Sequence, residues 1–410
     1  MHSAHVFTGI SNVLVMKRRT FIKNSALASG VTMVPSFVKT LEGVATEKLG
    51  YKRLVIVQLS GGNDGLNTVI PYRNDIYYKS RPGIAIKDGV IKLNDTLGLH
   101  PGLLSLKKLY DKGYLSIINN VGYPNPVRSH FRSMDIWHTA SDSNEYLQTG
   151  WIGRYLDKHG KHPYNAIETN EALSLALKGE QFSGIATNDY RVLYNSSKDP
   201  FFKNVISHFQ DEHLSEHNLG YLYKTMIDAR SSAKYIYENT KVRLSSPSYP
   251  KNRLARQLKN TAQFINSGID TKVFYTSLSG FDTHANQLNP QNRLLELYAD
   301  SIKVFVEDLK THGTFKDTLI ITFSEFGRRV KQNAANGTDH GTAGNVFIIG
   351  ENLKKAGVYN ELASLEDLDN NGDLKYSVDF RSIYLTILNK WMNVDGEKVI
   401  KKDIDSLNFI

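Results

Sequence analysis

Two short, apolar, β-rich runs constrain this chain most: Leu319–Phe323 and Val346–Ile349. Runs of that length and composition suit strands covered on both faces, which reads as two parallel strands at the centre of an open α/β sheet. Acid and imidazole stand just outside them. Glu325 follows the first run, and Asp339 and His340 precede the second. Ligands of such sheets bind beyond the carboxyl ends of the strands. Glu325 is therefore placed for chemistry, and His340 reaches the same rim if the connecting loop stays on that side.

The preceding chain supplies further strand-loop pairs. Leu54–Leu59 is a near-continuous apolar strand, followed by Ser60-Gly-Gly-Asn-Asp-Gly-Leu-Asn67. Glycines around Asp64 let the backbone turn tightly, and a carboxylate at a strand end suits a hard metal ion. Residues 72–99 read as a surface excursion with short strands. Pro101 opens a helix over Gly102–Lys112 with Leu103, Leu104, Leu106 and Leu109 inside, and Tyr114–Asn119 is the second core strand. This order predicts a right-handed parallel crossover. Ser129 then starts a helix that buries Phe131, Met134, Ile136 and Trp137. A hydroxyl at a helix N-terminus sits in positive potential, and Arg128 and Arg132 flank it, an arrangement suited to a nucleophile attacking a phosphate-like group.

The spacing predicts a helix beginning within Thr149–Asp157, a strand at Leu173–Leu177, and helices over Tyr221–Lys241 and Arg253–Ser267. Residues 160–270 thus read as a helical insertion that packs the core and caps the substrate side. Lys272–Ser277 is a strand, and Gly280-Phe-Asp-Thr-His284 follows it. Asp282 and His284 are two positions apart, so one loop can aim both at one ion. A helix over Leu294–Lys310 leads to the central strand. Asp367-Leu-Asp-Asn-Asn-Gly372 half-matches a calcium loop but has Val378 where the twelfth-position Glu belongs, so it reads as an acidic turn. Asp379 caps the last helix, Phe380–Trp391.

Composition narrows the function. The formal charge is +9, but Lys17, Arg18, Arg19, Lys23 and Lys39 against Glu42 place +4 of it in residues 1–45, which leaves a mild +5 elsewhere. No nucleic-acid-binding motif accompanies that surplus. Cysteine is absent, which excludes disulfides, thiolate metal sites and cysteine nucleophiles, so metal ligands must be His, Asp or Glu. Lys17-Arg-Arg-Thr-Phe-Ile-Lys23 has the form of a twin-arginine export signal, and the small-residue run Ser25–Val38 behind it is too short and polar for a permanent membrane span. Residues 1–48 are read as signal peptide and leader, with Met16 as a candidate start, and 49–410 as one domain. The expected partners are the twin-arginine translocase and a small anionic ester, and the expected location is the periplasm or cell envelope.

Taken together, the arginine pair, Gly61-Gly-Asn-Asp-Gly-Leu-Asn67, Arg128-Ser-His-Phe131, Gly280-Phe-Asp-Thr-His284, Ser324-Glu-Phe-Gly-Arg328 and Thr338-Asp-His-Gly341 resemble the bacterial "domain of unknown function 1501" family over nearly the whole chain. That family resembles a branch of the alkaline-phosphatase/sulfatase superfamily. The resemblance implies a three-layer α/β/α sandwich with a mostly parallel central sheet and helices on both faces. It also implies divalent metal ions (zinc, manganese, calcium or magnesium) and a phosphorylated or sulfated ester, including glycan esters, as substrate. Position by position, Asp64 matches the first-strand metal ligand, Ser129 the nucleophile, Asp282 and His284 the paired ligands, Glu325 the post-strand acid and His340 the last histidine. Asp339-His340 is an alternative match for an Asp-His pair, but it precedes a strand where the pair should follow one. Phe326 stands where a histidine usually follows the post-strand acid. His130, Phe131, Arg132 and Ser133 after Ser129 do not fit formylglycine formation, so direct attack by serine is expected. The expected activity is metal-dependent hydrolysis of phosphate or sulfate monoesters, with Arg128 or Arg132 neutralising ester oxygens. The alternative is a catalytically degraded envelope protein of the same fold that serves as a binding module.

Overall fold

A computed structural model describes residues 51–200, 204, 218–240 and 247–410. The twin-arginine stretch and residues 1–48 lie outside the described residues. Residues 52–410 form a single unit built on a sheet of nine strands among the described residues. These are β1 (Arg53–Ser60), β2 (Leu115–Gly122), β3 (Ala166–Glu168), β4 (Ile185–Ala186), β5 (Val273–Ser279), β6 (Thr318–Phe323), β7 (Gly344–Ile349), β8 (Gly357–Val358) and β9 (Val378–Asp379). The spatial order is β8-β2-β7-β6-β1-β5-β3-β4, with β9 also on β2.

Alternate residues of β1 divide between two hydrophobic cores. Val55, Val57 and Leu59 join one, and Leu54 and Ile56 join the other. Both faces are covered, which is why the central strands are mostly apolar. On the first face lie α2 (Leu104–Asp111), α5 (Asn218–Thr240), α6 (Arg253–Ser267) and α7 (Leu288–Thr311). On the second lie α3 (His130–Thr139), α4 (Trp151–His159) and α8 (Phe380–Thr386). The short α1 (Gly65–Thr68) follows β1. Helix α6 shows how sequence sets these elements. Leu254, Leu258, Ala262 and Ile265 form its buried stripe, the Asn252 side chain accepts from the Ala255 N–H, and Gly268 ends the helix at a φ of +69°. The three-layer α/β/α arrangement with a mostly parallel sheet agrees with the sequence.

Several local expectations are corrected. Strand β7 runs antiparallel to both β6 and β2, whereas two parallel strands were expected at the centre. Residues 324–343 contain no helix, and without a crossover element the chain returns alongside β6 in the opposite direction. Strands β1 and β2 do run parallel, as the crossover expectation had it, with β6 and β7 between them. Leu175–Leu177 is a 3-10 turn rather than a strand. The strands of that region are β3 and β4, so the stretch expected as a helical insertion also extends the sheet. Leu104 and Phe131 are exposed, and the last helix turns into a π-helical segment over Ile387–Trp391. Among the described residues no helix is long and apolar enough to cross a membrane.

Candidate metal centre

Reversal of β7 brings Glu325, at the end of β6, and His340, before β7, to one rim. Two other loops meet there. Ser324 Oγ donates to the Leu59 carbonyl (2.6 Å) and accepts from the Asn63 N–H (2.9 Å), which ties the ends of β6 and β1 together. The β5 loop carrying Asp282 and His284 crosses Gly61 so closely that a Cβ there would lie 2.4 Å from the Asp282 nitrogen, and Gly61 also has a φ of +118°. Only glycine fits that crossing. Arg328 is buried and stitches the loops, donating to the carbonyls of Gly62 and Thr338 (2.7 Å each), Gly61 and Phe281, and to Asp282 Oδ1 (2.6 Å).

Three imidazoles converge on the same carboxylate oxygen. The Nε2 atoms of His284, His340 and His130 lie 3.0, 3.3 and 3.4 Å from Asp282 Oδ1. The Nε2 atoms of His284 and His340 are 2.9 Å apart. Each histidine is held from behind at Nδ1: His130 by Glu325 Oε1 (2.9 Å), His284 by Asp339 Oδ1 (3.3 Å) and His340 by the Arg128 carbonyl (2.7 Å). Back-bonding of this kind is what orients metal-ligating histidines, because it commits Nδ1 as donor and leaves the Nε2 lone pair free. Phe326 packs on His130 and His340, with ring centroids 4.8 Å from each, and fixes the ring planes.

A cation fits this donor set. Nε2 of His130 is buried without a hydrogen bond among the described residues, and His130, Asp282 and His340 offer ligand atoms all within 4.8 Å of one another. Burial raises the Asp282 carboxyl, but the Arg328 hydrogen bond and charge, with His340 and His284, hold it down to about 2. The hydrogen bond to Glu325 raises His130 above its ordinary value against the opposing effect of burial, and Glu325 and Asp282 add to the rise. Burial lowers His340 despite the Arg128 carbonyl. Asp282 is thus a carboxylate at neutral pH beside imidazoles of differing basicity.

The sequence-predicted residues divide. Asp282, His284 and His340 meet in the cluster. Glu325 and Asp339, expected as ligands, stand one step behind and orient His130 and His284. Asp64 is corrected. Its Oδ1 accepts from the Leu66 and Asn67 N–H groups at the start of α1, and its Oδ2 from the fully buried Arg81 (2.6 Å) and from Gln287. An unpaired buried arginine is costly, so Asp64 is committed to that ion pair. Arg128 and Arg132 also have other partners. The Arg128 guanidinium grips Asp369 and Asp373, and Arg132 donates to the carbonyls of Asp142, Ser143 and Glu145. Ser129 is exposed at the start of α3 and makes no capping hydrogen bond. His130 and Arg328 were not assigned roles from sequence. Both stand inside quoted motifs, and a histidine beside the suspected nucleophile was the signal for the first.

The sequence profile described as "Protein of unknown function (DUF1501)" matches residues 113–404. The chain belongs to the DUF1501 family. A comparison with curated protein sequences gives no match. Among solved structures, this DUF1501 chain is similar to the lipoteichoic acid synthase LtaP of Listeria monocytogenes at 13% identity, covering 77% of this chain and 73% of that one with a TM-score of 0.38. It is similar to the PsFucS1 sulfatase of Pseudoalteromonas sp. at 14% identity, over 90% and 74% of the two chains, with a TM-score of 0.39. It is also similar to the C-terminal periplasmic domain of EcEptC from Escherichia coli at 11% identity, over 85% and 82%, with a TM-score of 0.36.

Proposed function

We propose that this chain is an exported, metal-dependent hydrolase of phosphate or sulfate monoesters. The observation that carries the reading is the cluster of three imidazoles, each back-bonded at Nδ1 and turned with Nε2 toward Asp282. His130, His284, His340 and Asp282 would hold one divalent cation. Predominantly imidazole donors favour zinc or another transition ion over calcium or magnesium. When bound, such an ion supplies a Lewis acid that lowers the pKa of an attacking hydroxyl and takes up charge on ester oxygens.

Ser129 is the proposed nucleophile. It directly precedes His130, its hydroxyl is exposed and not spent on capping, and it sits at the positive end of α3. Its oxygen forms a bond to phosphorus or sulfur as the bond to the alcohol oxygen breaks. The alcohol leaves with a proton, and water then cleaves the serine ester, releasing phosphate or sulfate and restoring the hydroxyl. Asp64 and Glu325 are committed elsewhere, so the reading takes a single ion. Export rests on the twin arginines at Arg18 and Arg19, and the ester class on the family resemblance.

The second reading, a non-catalytic envelope protein that binds through one cation, is favoured by the commitment of Arg128 and Arg132 to other partners. Elemental analysis of protein matured through its own export route, alongside turnover of phosphate and sulfate monoesters, separates the two. One ion per chain with turnover that Ser129→Ala abolishes supports the hydrolase. An ion without turnover of either ester class overturns it in favour of the binding protein, and protein without any ion overturns both.

A further inference from the structure

A cavity of about 330 Å³ meets the candidate metal centre at Phe326. Phe326, which packs on His130 and His340, lines it. Tyr123 enters from the chain leading to Arg128, and Leu374 and Tyr376 come from the loop that grips Arg128. The volume suits one ring, at the lower end of small-molecule pockets.

The wall is mostly apolar, and much of its polarity is already engaged. The Tyr123 hydroxyl is bonded to Ser133 Oγ (2.8 Å), and Thr342 Oγ1 donates to the Leu374 carbonyl. Asp369 accepts from Arg128 and from the Asn371 and Asp373 N–H groups, and Lys375 is paired with Asp367. What faces the space is aromatic and aliphatic: Phe326, Tyr123, Leu374 and the partly exposed Tyr376. A sugar ring placed there would set its hydroxyls largely against aromatic and aliphatic surface, which costs affinity. An aromatic ring loses nothing of the kind and gains ring-to-ring contact.

We propose that this cavity binds the aryl portion of the ester, so that the substrate is a monoester whose alcohol carries an aromatic ring. The inference rests on the hydrolase reading for its reaction and on the cavity alone for its specificity. The test compares benzyl with methyl phosphate, and benzyl with methyl sulfate, whose leaving alcohols differ mainly in the ring. It uses wild type, Tyr376→Ala and Tyr376→Phe. In parallel, binding of benzyl alcohol and of methyl glucoside, neither of which reacts, is followed by NMR titration. The expected result is a benzyl-to-methyl ratio of kcat/KM that falls about tenfold in Tyr376→Ala and holds in Tyr376→Phe, with benzyl alcohol binding weakened in parallel. An unchanged ratio and unchanged benzyl alcohol binding in Tyr376→Ala, or methyl glucoside binding as tightly as benzyl alcohol, overturns the aryl assignment. If no ester is turned over at all, the hydrolase reading fails, while loss of benzyl alcohol binding in Tyr376→Ala still upholds the cavity as an aryl site.

Discussion

His340 Nδ1 donates to the main-chain carbonyl of Arg128 at 2.7 Å, while the guanidinium of that arginine is held by Asp369 and Asp373 on a separate loop. A side-chain clamp on one residue thereby sets the backbone oxygen that orients the His340 imidazole. Asp373 is fully buried at its carboxylate and also meets Arg329, so the loop is anchored from the inside.

Removing that clamp is expected to loosen the site without dismantling it. Asp373→Asn should weaken metal affinity about tenfold, the lower end of what outer partners of metal ligands contribute. Chelator competition measures it, and the absorption spectrum of the cobalt-loaded protein should change in shape. Asp379→Asn breaks an ion pair with Arg381 that touches none of the cluster residues. It should leave affinity and spectrum alone. Equal loss in both variants would show that the effect is general destabilisation.

The three histidines should behave as one set. Alanine at His130, His284 or His340 is expected to lower bound metal to a small fraction of the wild-type content, and Glu325→Gln to cost about 10- to 100-fold in affinity through His130. Elemental analysis after dialysis checks both. Full metal retention in His130→Ala would remove that residue from the donor set.

Asp64→Asn separates structure from chemistry. Leaving Arg81 without its buried partner should cost about 3–5 kcal/mol of stability, read from urea unfolding, with the metal content of the folded protein unchanged. Loss of metal at unchanged stability would reinstate Asp64 as a ligand.

Acid should destabilise the fold through a histidine outside the cluster. Burial lowers His138 from 6.5 to about 4, with its Nε2 3.0 Å from the Tyr275 hydroxyl. The unfolded chain therefore takes up this proton first as pH falls. The contribution is complete above pH 6.5 and is lost between 6.5 and about 4, a change on the order of 3 kcal/mol. Burial lowers His100 in the same direction. Urea midpoints measured across that range should fall with pH, and less steeply in His138→Gln. Parallel slopes for the two proteins would exclude His138 as the source.

Much of this was readable from residue order, and the misses have physical causes. Near-continuous apolar runs marked β1 and β6, and the helical spacing of Leu254, Leu258, Ala262 and Ile265 marked α6, because those choices are local. Strand direction was not local. Leu319–Phe323 and Val346–Ile349 look alike, and only the absence of a helix between them makes the second run backwards. Asp64 had the chemistry of a ligand, but its partner Arg81 lies in what read as a surface excursion, so the buried pair was invisible. Glu325 and Asp339 were placed at the right rim in the wrong layer, since sequence distinguishes acid from imidazole but not which of them faces inward. Phe131 stayed outside because helical spacing alone does not say which side of α3 meets the sheet.

Because β6 and β7 run side by side in opposite directions, Glu325 and His340 leave the same hydrogen-bonded hairpin, and thermal bending of the sheet carries them together. His130 is mounted differently, at the tip of a helix reached through the proline-bearing segment after β2. The centre is therefore assembled from a sheet rim and a helix end, and its geometry depends on how α3 docks against the sheet through Ile136 and Trp137.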